Sequence, residues 1–171
     1  LAAGVVAGAS LVGVPRLVLG EAQNPIGPLG PWFAVAVFGV GIVVHRCGRP
    51  GSIAWILLVL YVAYGAQVLG DALFGGVLSG MVGAFAMTPV AYVVSRQSSG
   101  PAAFATLLPA FWLLVPGSLG LVGVTGILGG DADGVSTLVT TTATMVAIML
   151  GILAGAAVGG RLTGRGTVTV V

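Results

Sequence analysis

The sequence predicts an all-α, polytopic integral membrane bundle of about six spans. Three observations predict it. Only 6% of the residues are charged and 57% are hydrophobic, with a mean hydropathy of +1.15, whereas a soluble domain carries about 25% charged residues. The few charges cut the chain into apolar stretches of about 20 residues, the length that crosses a bilayer as a helix. Those charges also alternate in sign from one connection to the next.

The spans follow in order. Residues 1–15 are apolar but short, and end at Pro15-Arg16. Residues 22–44 carry no charge. Their first part, 24–31, is rich in Pro and Gly and reads as a loop, so the helix is predicted to start near Pro31, a residue well suited to a first helical position. Residues 51–70 form a third span and 72–95 a fourth. The fourth holds Met87-Thr88-Pro89, where proline removes a backbone donor and kinks the helix. Thr88 offers a hydroxyl to the carbonyl so freed. Residues 97–130 form a fifth span, whose core reads LLPAFWLLVPGSLGLVGVTGILGG from Leu107. Pro101 is placed to start it. Pro109 deprives the Ala105 carbonyl of its donor, and Pro116 does the same to Trp112. Gly117, next to Pro116, permits an unwound turn. Residues 134–160 form the sixth span. The connections are short, so residues 1–171 read as one transmembrane domain with no soluble domain inside it.

All four acids, Glu21, Asp71, Asp131 and Asp133, fall on one side of this layout. Five of six arginines, Arg46, Arg49, Arg96, Arg161 and Arg165, fall on the other, and Arg16 is the exception. The positive-inside rule puts the arginine side and both chain ends in the cytoplasm. Trp32, Trp55 and Tyr92 sit where interfaces are expected. The absence of lysine beside abundant Ala, Gly, Val and Arg suggests a bacterial source, and hence the inner membrane. The first residue is leucine, as expected for a piece of a longer chain.

Helices in lipid associate through close backbone contact at small residues. Gly4/Gly8, Gly76/Gly80 and the longer ridge Gly151, Gly155, Gly159 have the required four-residue spacing. In the fifth span Gly117, Gly120, Gly123, Gly126 and Gly129 are spaced by three. That spacing winds around a helix of 3.6 residues per turn and predicts a slender half-helix without a single packing seam.

No catalytic constellation is present, so the chain does not read as an enzyme. His45 and Cys47 are the only residues of their types; they leave no His/Cys metal site and no activated nucleophile, and no cofactor is implied. His45 and Arg46 suit a helix C-terminus. Asp131 and Asp133 lack the rest of a calcium loop and read as a solvated turn. No basic stripe with interleaved aromatics points to nucleic acid.

Polar groups within spans are costly and tend to face a cavity. Gln67 lies one turn from Asp71 on the same face. Asp71 is drawn near the outer interface and is the candidate for proton coupling, against the alternative of a water-exposed helix end. Thr137, Thr141 and Thr144 share one face of the sixth span. They either line a solute path or bond back to their own helix. The break at Pro116-Gly117 has the same two readings: a simple kink, or a discontinuous helix whose ends offer N–H groups to a carboxylate and carbonyls to a cation. The second would suit a zwitterion such as an amino acid.

The ordered stretches HRCGRPGSIAWILLVLYVAYGAQ, LFGGVLSGMVGAFAMTPVAYVVSRQSSGP and LLPAFWLLVPGSLGL resemble the membrane half of the threonine/serine exporter family. The resemblance covers about residues 31–160. It rests on a span ending near Arg96, a short linker to Pro101, and a span broken at Pro109 and Pro116-Gly117. It implies proton-driven export of threonine and serine. It also implies a second membrane half, fused in the same polypeptide or present as a partner subunit, beside the bilayer itself and a possible homo-oligomer. Pro109, Pro116 and Gly117 are the core of the expected substrate site, with Thr88, Gln67, Thr137 and Thr141 as further lining. The rival from another class is a non-transporting membrane subunit that assembles through its glycine ridges.

Overall fold

The computed structural model describes residues 27–46, 48–128 and 133–164. Every described element is helical. The first predicted span, the Gly4/Gly8 pair, Arg16, Glu21, Cys47, Asp131 and Arg165 lie outside the described residues.

Helix α1 runs Gly30–His45, with Pro31 in its first turn and His45 in its last. Its 16 residues reach about 24 Å, short of the ~30 Å hydrocarbon core. It packs antiparallel to α2, Ile53–Phe74: Gly39 sits against Leu57 and Leu60, and Trp32 meets Tyr61 and Tyr64. Trp32 therefore does not stand at the outer interface as expected. Its ring lies edge-on to Tyr64 at 4.9 Å, and Tyr61 donates a hydrogen bond to its carbonyl at 3.1 Å. The start of α1 thus lies beside the middle of α2.

α2 does not stop at Gly70. Nothing in Asp71-Ala72-Leu73-Phe74 breaks a helix, and the first residue that turns the chain is Gly75, with φ 74°, a conformation open to glycine. Helix α3, Gly76–Val94, follows at once. Pro89 lies inside it. Thr88 does not repair the carbonyl that Pro89 frees, which is that of Phe85. Its hydroxyl donates instead to Ala84, at 2.7 Å.

The fifth predicted span is two helices. α4 covers Ala103–Leu114 with Pro109 buried inside it, and α5 covers Gly117–Leu128. Together, Ala103–Ile127 is long and apolar enough to cross a membrane. α6 covers Asp133–Leu162. Four stretches have spanning length: Pro50–Phe74, Gly76–Val94, Ala103–Ile127 and Asp133–Leu162. Of the six predicted spans, four correspond to stretches of spanning length, the second is the shorter α1, and the first lies outside the described residues.

The core lies between α2, α3 and α4, where Val59, Leu60, Ala63, Ala84, Met87, Ala91, Ala110 and Leu114 interlock, joined by Ile148 of α6. Small residues on α3 and α4 let these backbones approach closely. At one end Trp55 donates to Ser99 at 3.3 Å, tying α2 to the α3–α4 connection.

The glycine ridge of α6 is a seam with α3. A Cβ at Gly151 would strike the Met81 carbonyl; one at Gly155 would lie 2.8 Å from the Phe85 carbonyl; one at Gly159 would lie 2.9 Å from the Tyr92 ring. The pairs rise together along both chains, so α3 and α6 run parallel. α5 runs antiparallel to α6. A Cβ at Gly120 would reach Thr141, one at Gly123 would press the backbone of Leu138, and one at Gly134 would press Gly126 and Ile127. This corrects the expectation of glycines wound around α5: Gly120, Gly123 and Gly126 are at i, i+3 and i+6, close enough to one face to seat α5 on α6. With these directions, the described arginines, Arg46, Arg49, Arg96 and Arg161, share one end of the bundle, and Asp133 marks the other.

Candidate solute site at the broken helix

The break between α4 and α5 follows from backbone bookkeeping. Val115 donates to Phe111 at 3.0 Å, Gly117 donates to Val115 at 2.8 Å, and Gly120 donates to Pro116 at 3.1 Å. Pro116 has no N–H for the Trp112 carbonyl. The donor that would serve Leu113 is Gly117, which is committed to Val115. Among the described residues the carbonyls of Trp112, Leu113 and Leu114 and the N–H groups of Ser118 and Leu119 have no backbone partner. An unpaired backbone group in hydrocarbon costs several kcal/mol.

Gln67 packs close to the Leu114 side chain, just before this break, over Gly83, which lacks a side chain. The position a Cβ would take on Gly83 lies 2.8 Å from the Ala63 carbonyl, 2.9 Å from Cδ2 of Leu114 and 3.2 Å from Cβ of Gln67. Three helices converge there. Gln67 is half-buried, and among the described residues its amide has no hydrogen-bond partner. On the far side Gly117 is open: a Cβ there would meet nothing within 4 Å. The break is thus an accessible flank with unpaired carbonyls on one side and unpaired N–H groups on the other, and Gln67 packs close to the Leu114 side chain that precedes it.

No family model, curated protein or solved structure matches the chain.

Of the predicted residues, Pro116 and Gly117 form the break, and Gln67 packs over Gly83 together with the side chain of Leu114, the last residue of α4. Thr141 packs near α5, one turn beyond the break. Pro109 is buried two turns before it. Thr88 is buried at the α3–α6 seam beside Gly155. Thr137 lies a further turn out along α6. Asp71 is exposed, one turn past Gln67 within α2. The hydroxyls of Thr137, Thr140, Thr141, Thr142 and Thr144 each donate to the carbonyl four residues back, at 2.8 to 2.9 Å. That is the self-bonded reading of the threonine face. Among the described residues no buried side-chain N or O lacks a partner, and no group of three His, Cys, Asp or Glu could hold a metal.

Two residues were missed. Gly83 is the gap that admits Gln67, and its signal was a small residue at mid-span. Ser118 is exposed beside the break with no hydrogen-bond partner among the described residues; its adjacency to Pro116-Gly117 was the signal. Two shallow apolar grooves mark the surface, one between α3 and α6 along Met81, Phe85 and Gly151, the other along Val135, Val139 and Val146 of α6. Neither reaches Gln67 or Pro116.

Proposed function

We propose that this chain is a membrane module of a secondary transporter that exports small hydroxylated amino acids, threonine and serine, in exchange for protons. One observation carries the reading: a spanning segment interrupted at Pro116, with unpaired carbonyls on one side and unpaired N–H groups on the other. Irregular backbone at membrane depth persists where it is buried in protein or lines a wet cavity. Half-helix ends of this kind suit a zwitterion, the carbonyls facing an ammonium group and the N–H groups a carboxylate. The resemblance to the threonine/serine exporters supplies the substrate class and the second membrane half. The arginine end is the cytoplasmic side of a bacterial inner membrane in this reading.

Proteoliposomes holding the complete protein should exchange labelled threonine or serine in a pH-dependent way. Absence of flux with a correctly folded protein overturns the proposal. A second reading, a non-transporting assembly subunit, is favoured by the self-bonded threonines of α6 and by the dry α3–α6 seam.

A further inference from the structure

The α2–α3 turn stops short of the surface that α6 reaches. Gly80 sits against Thr144 and Ile148, and Gly151, Gly155 and Gly159 continue the same register to Tyr92. The turn at Gly75 is then level with about residue 142 of α6, roughly nine residues or ~13 Å below Asp133 at 1.5 Å per residue. α6 has 30 residues, hence about 45 Å. That matches a whole bilayer with headgroups, about 40–45 Å around a core of ~30 Å. With Asp133 and Arg161 at its two faces, the hydrocarbon starts roughly 7 Å below Asp133. The turn then lies ~6 Å inside the hydrocarbon, and Asp71, four residues earlier on α2, about 12 Å inside. Helical side chains lean toward the N-terminus, which carries the carboxylate deeper still.

The composition of the turn agrees independently. Turns in water use Asn, Asp, Ser or Pro. This one is Leu73-Phe74-Gly75-Gly76-Val77-Leu78, with Leu73 73% and Phe74 64% exposed. It satisfies its own backbone where it can: Gly75 donates to Asp71 at 3.0 Å, and the Ser79 hydroxyl donates to the Gly76 carbonyl at 2.6 Å.

An ionised carboxylate at this depth is costly unless compensated. α2, α3, α4 and α5 carry no basic residue within their bounds, and the described arginines all lie at the opposite end. Among the described residues the Asp71 carboxylate has no partner. Its nearest polar neighbour along α2 is Gln67, one turn away. We infer that Asp71 is an intramembrane cation site on α2, one turn below the α2–α3 turn and within the hydrocarbon. Its ligand is a single positive charge, the proton or the ammonium group of the solute. The position of the carboxylate is independent of the transport proposal; the ammonium alternative rests on it.

The test is carbodiimide labelling of the complete protein in liposomes, read by mass spectrometry. Lipophilic dicyclohexylcarbodiimide should modify Asp71 at least fivefold faster than Asp133, a water-soluble carbodiimide should reverse that preference, and Asp71→Asn should abolish the fast label. If saturating threonine slows the label severalfold, the cation held is the ammonium group. If threonine has no effect, the ammonium group is excluded and the cation is the proton. Two results overturn the inference. One is Asp71 reacting with the soluble reagent as fast as Asp133. The other is a label that rises severalfold in Arg16→Ala, which would make Arg16 the built-in countercharge. Absent transport with Asp71 still labelled would sink the proposed function and leave the carboxylate in place.

Discussion

Gly155 faces the carbonyl of Phe85: a Cβ at Gly155 would stand 2.8 Å from that oxygen, and the same oxygen is the one that Pro89 deprives of its helical donor. The proline on α3 and the glycine on α6 are thus two halves of one contact. The freed carbonyl needs a neighbour without a side chain, and Cα–H···O contacts of this type recur at helix interfaces.

Gly155→Ala should therefore destabilise the bundle by about 1–3 kcal/mol, the usual cost of overpacking a close contact. Gly155→Leu should prevent assembly of the α3–α6 pair. Gly41→Ala is the control, because a Cβ there meets nothing within 4 Å. Thermal unfolding in detergent, followed by size-exclusion chromatography, reads both. Equal stability of the Gly155 and Gly41 variants would refute the seam.

Gly117→Leu should leave stability unchanged and cut threonine or serine flux at least tenfold. Position 117 has open space around it, its φ is not in the left-handed region, and Leu is a good helix former. A fold-preserving block at the break is what a solute site predicts. Equal loss of stability and flux would make the break a structural kink.

Much of this arrangement was legible in the sequence. Charge placement marked four stretches of spanning length, and Pro116-Gly117 marked the break, because proline and glycine act locally through their own dihedrals. The spacing of Gly151, Gly155 and Gly159 found the α3–α6 seam for the same reason. What escaped were features set by a neighbour's register. Asp71 lies within α2 and not at its end, because only Gly75 has the backbone freedom to turn. Gln67 had no visible partner at the break until Gly83 was seen to leave room for it. The α5 glycines looked dispersed because a spacing of three drifts slowly; over two turns, from Gly120 to Gly126, the drift is small enough for α6 to be accommodated.

Gln67→Leu should keep or raise thermal stability while weakening solute binding. The amide makes no hydrogen bond among the described residues, so its removal forfeits none, and leucine is favourable in hydrocarbon by about 0.3–0.6 kcal/mol. The expected signature is a KM raised at least fivefold in the flux assay. Unchanged KM would remove Gln67 from the site.

Thr141→Val and Thr137→Val should leave flux unchanged within about twofold. Each hydroxyl donates to its own helix, Thr141 to Thr137 and Thr137 to Asp133, so valine deletes a bond that carries no solute. A large loss of flux in either variant would show that the hydroxyls turn toward the solute during transport.

Water access decides between a transporter and a dry scaffold. With Cys47 replaced by serine, cysteine at Pro116, Gly117 or Ser118 should react with a small water-soluble thiol reagent. Cysteine at Ala110, buried in the α2–α4 core, should not. The unpaired carbonyls and N–H groups at the break demand this result: each costs several kcal/mol in lipid, and among the described residues no protein group pairs with them. Water or solute is what remains to satisfy them. Labelling should slow when threonine or serine is present, since the solute would displace that water. If positions 116 to 118 prove as inert as Ala110, the break is packed away by another part of the assembled protein, and the scaffold reading takes precedence over transport.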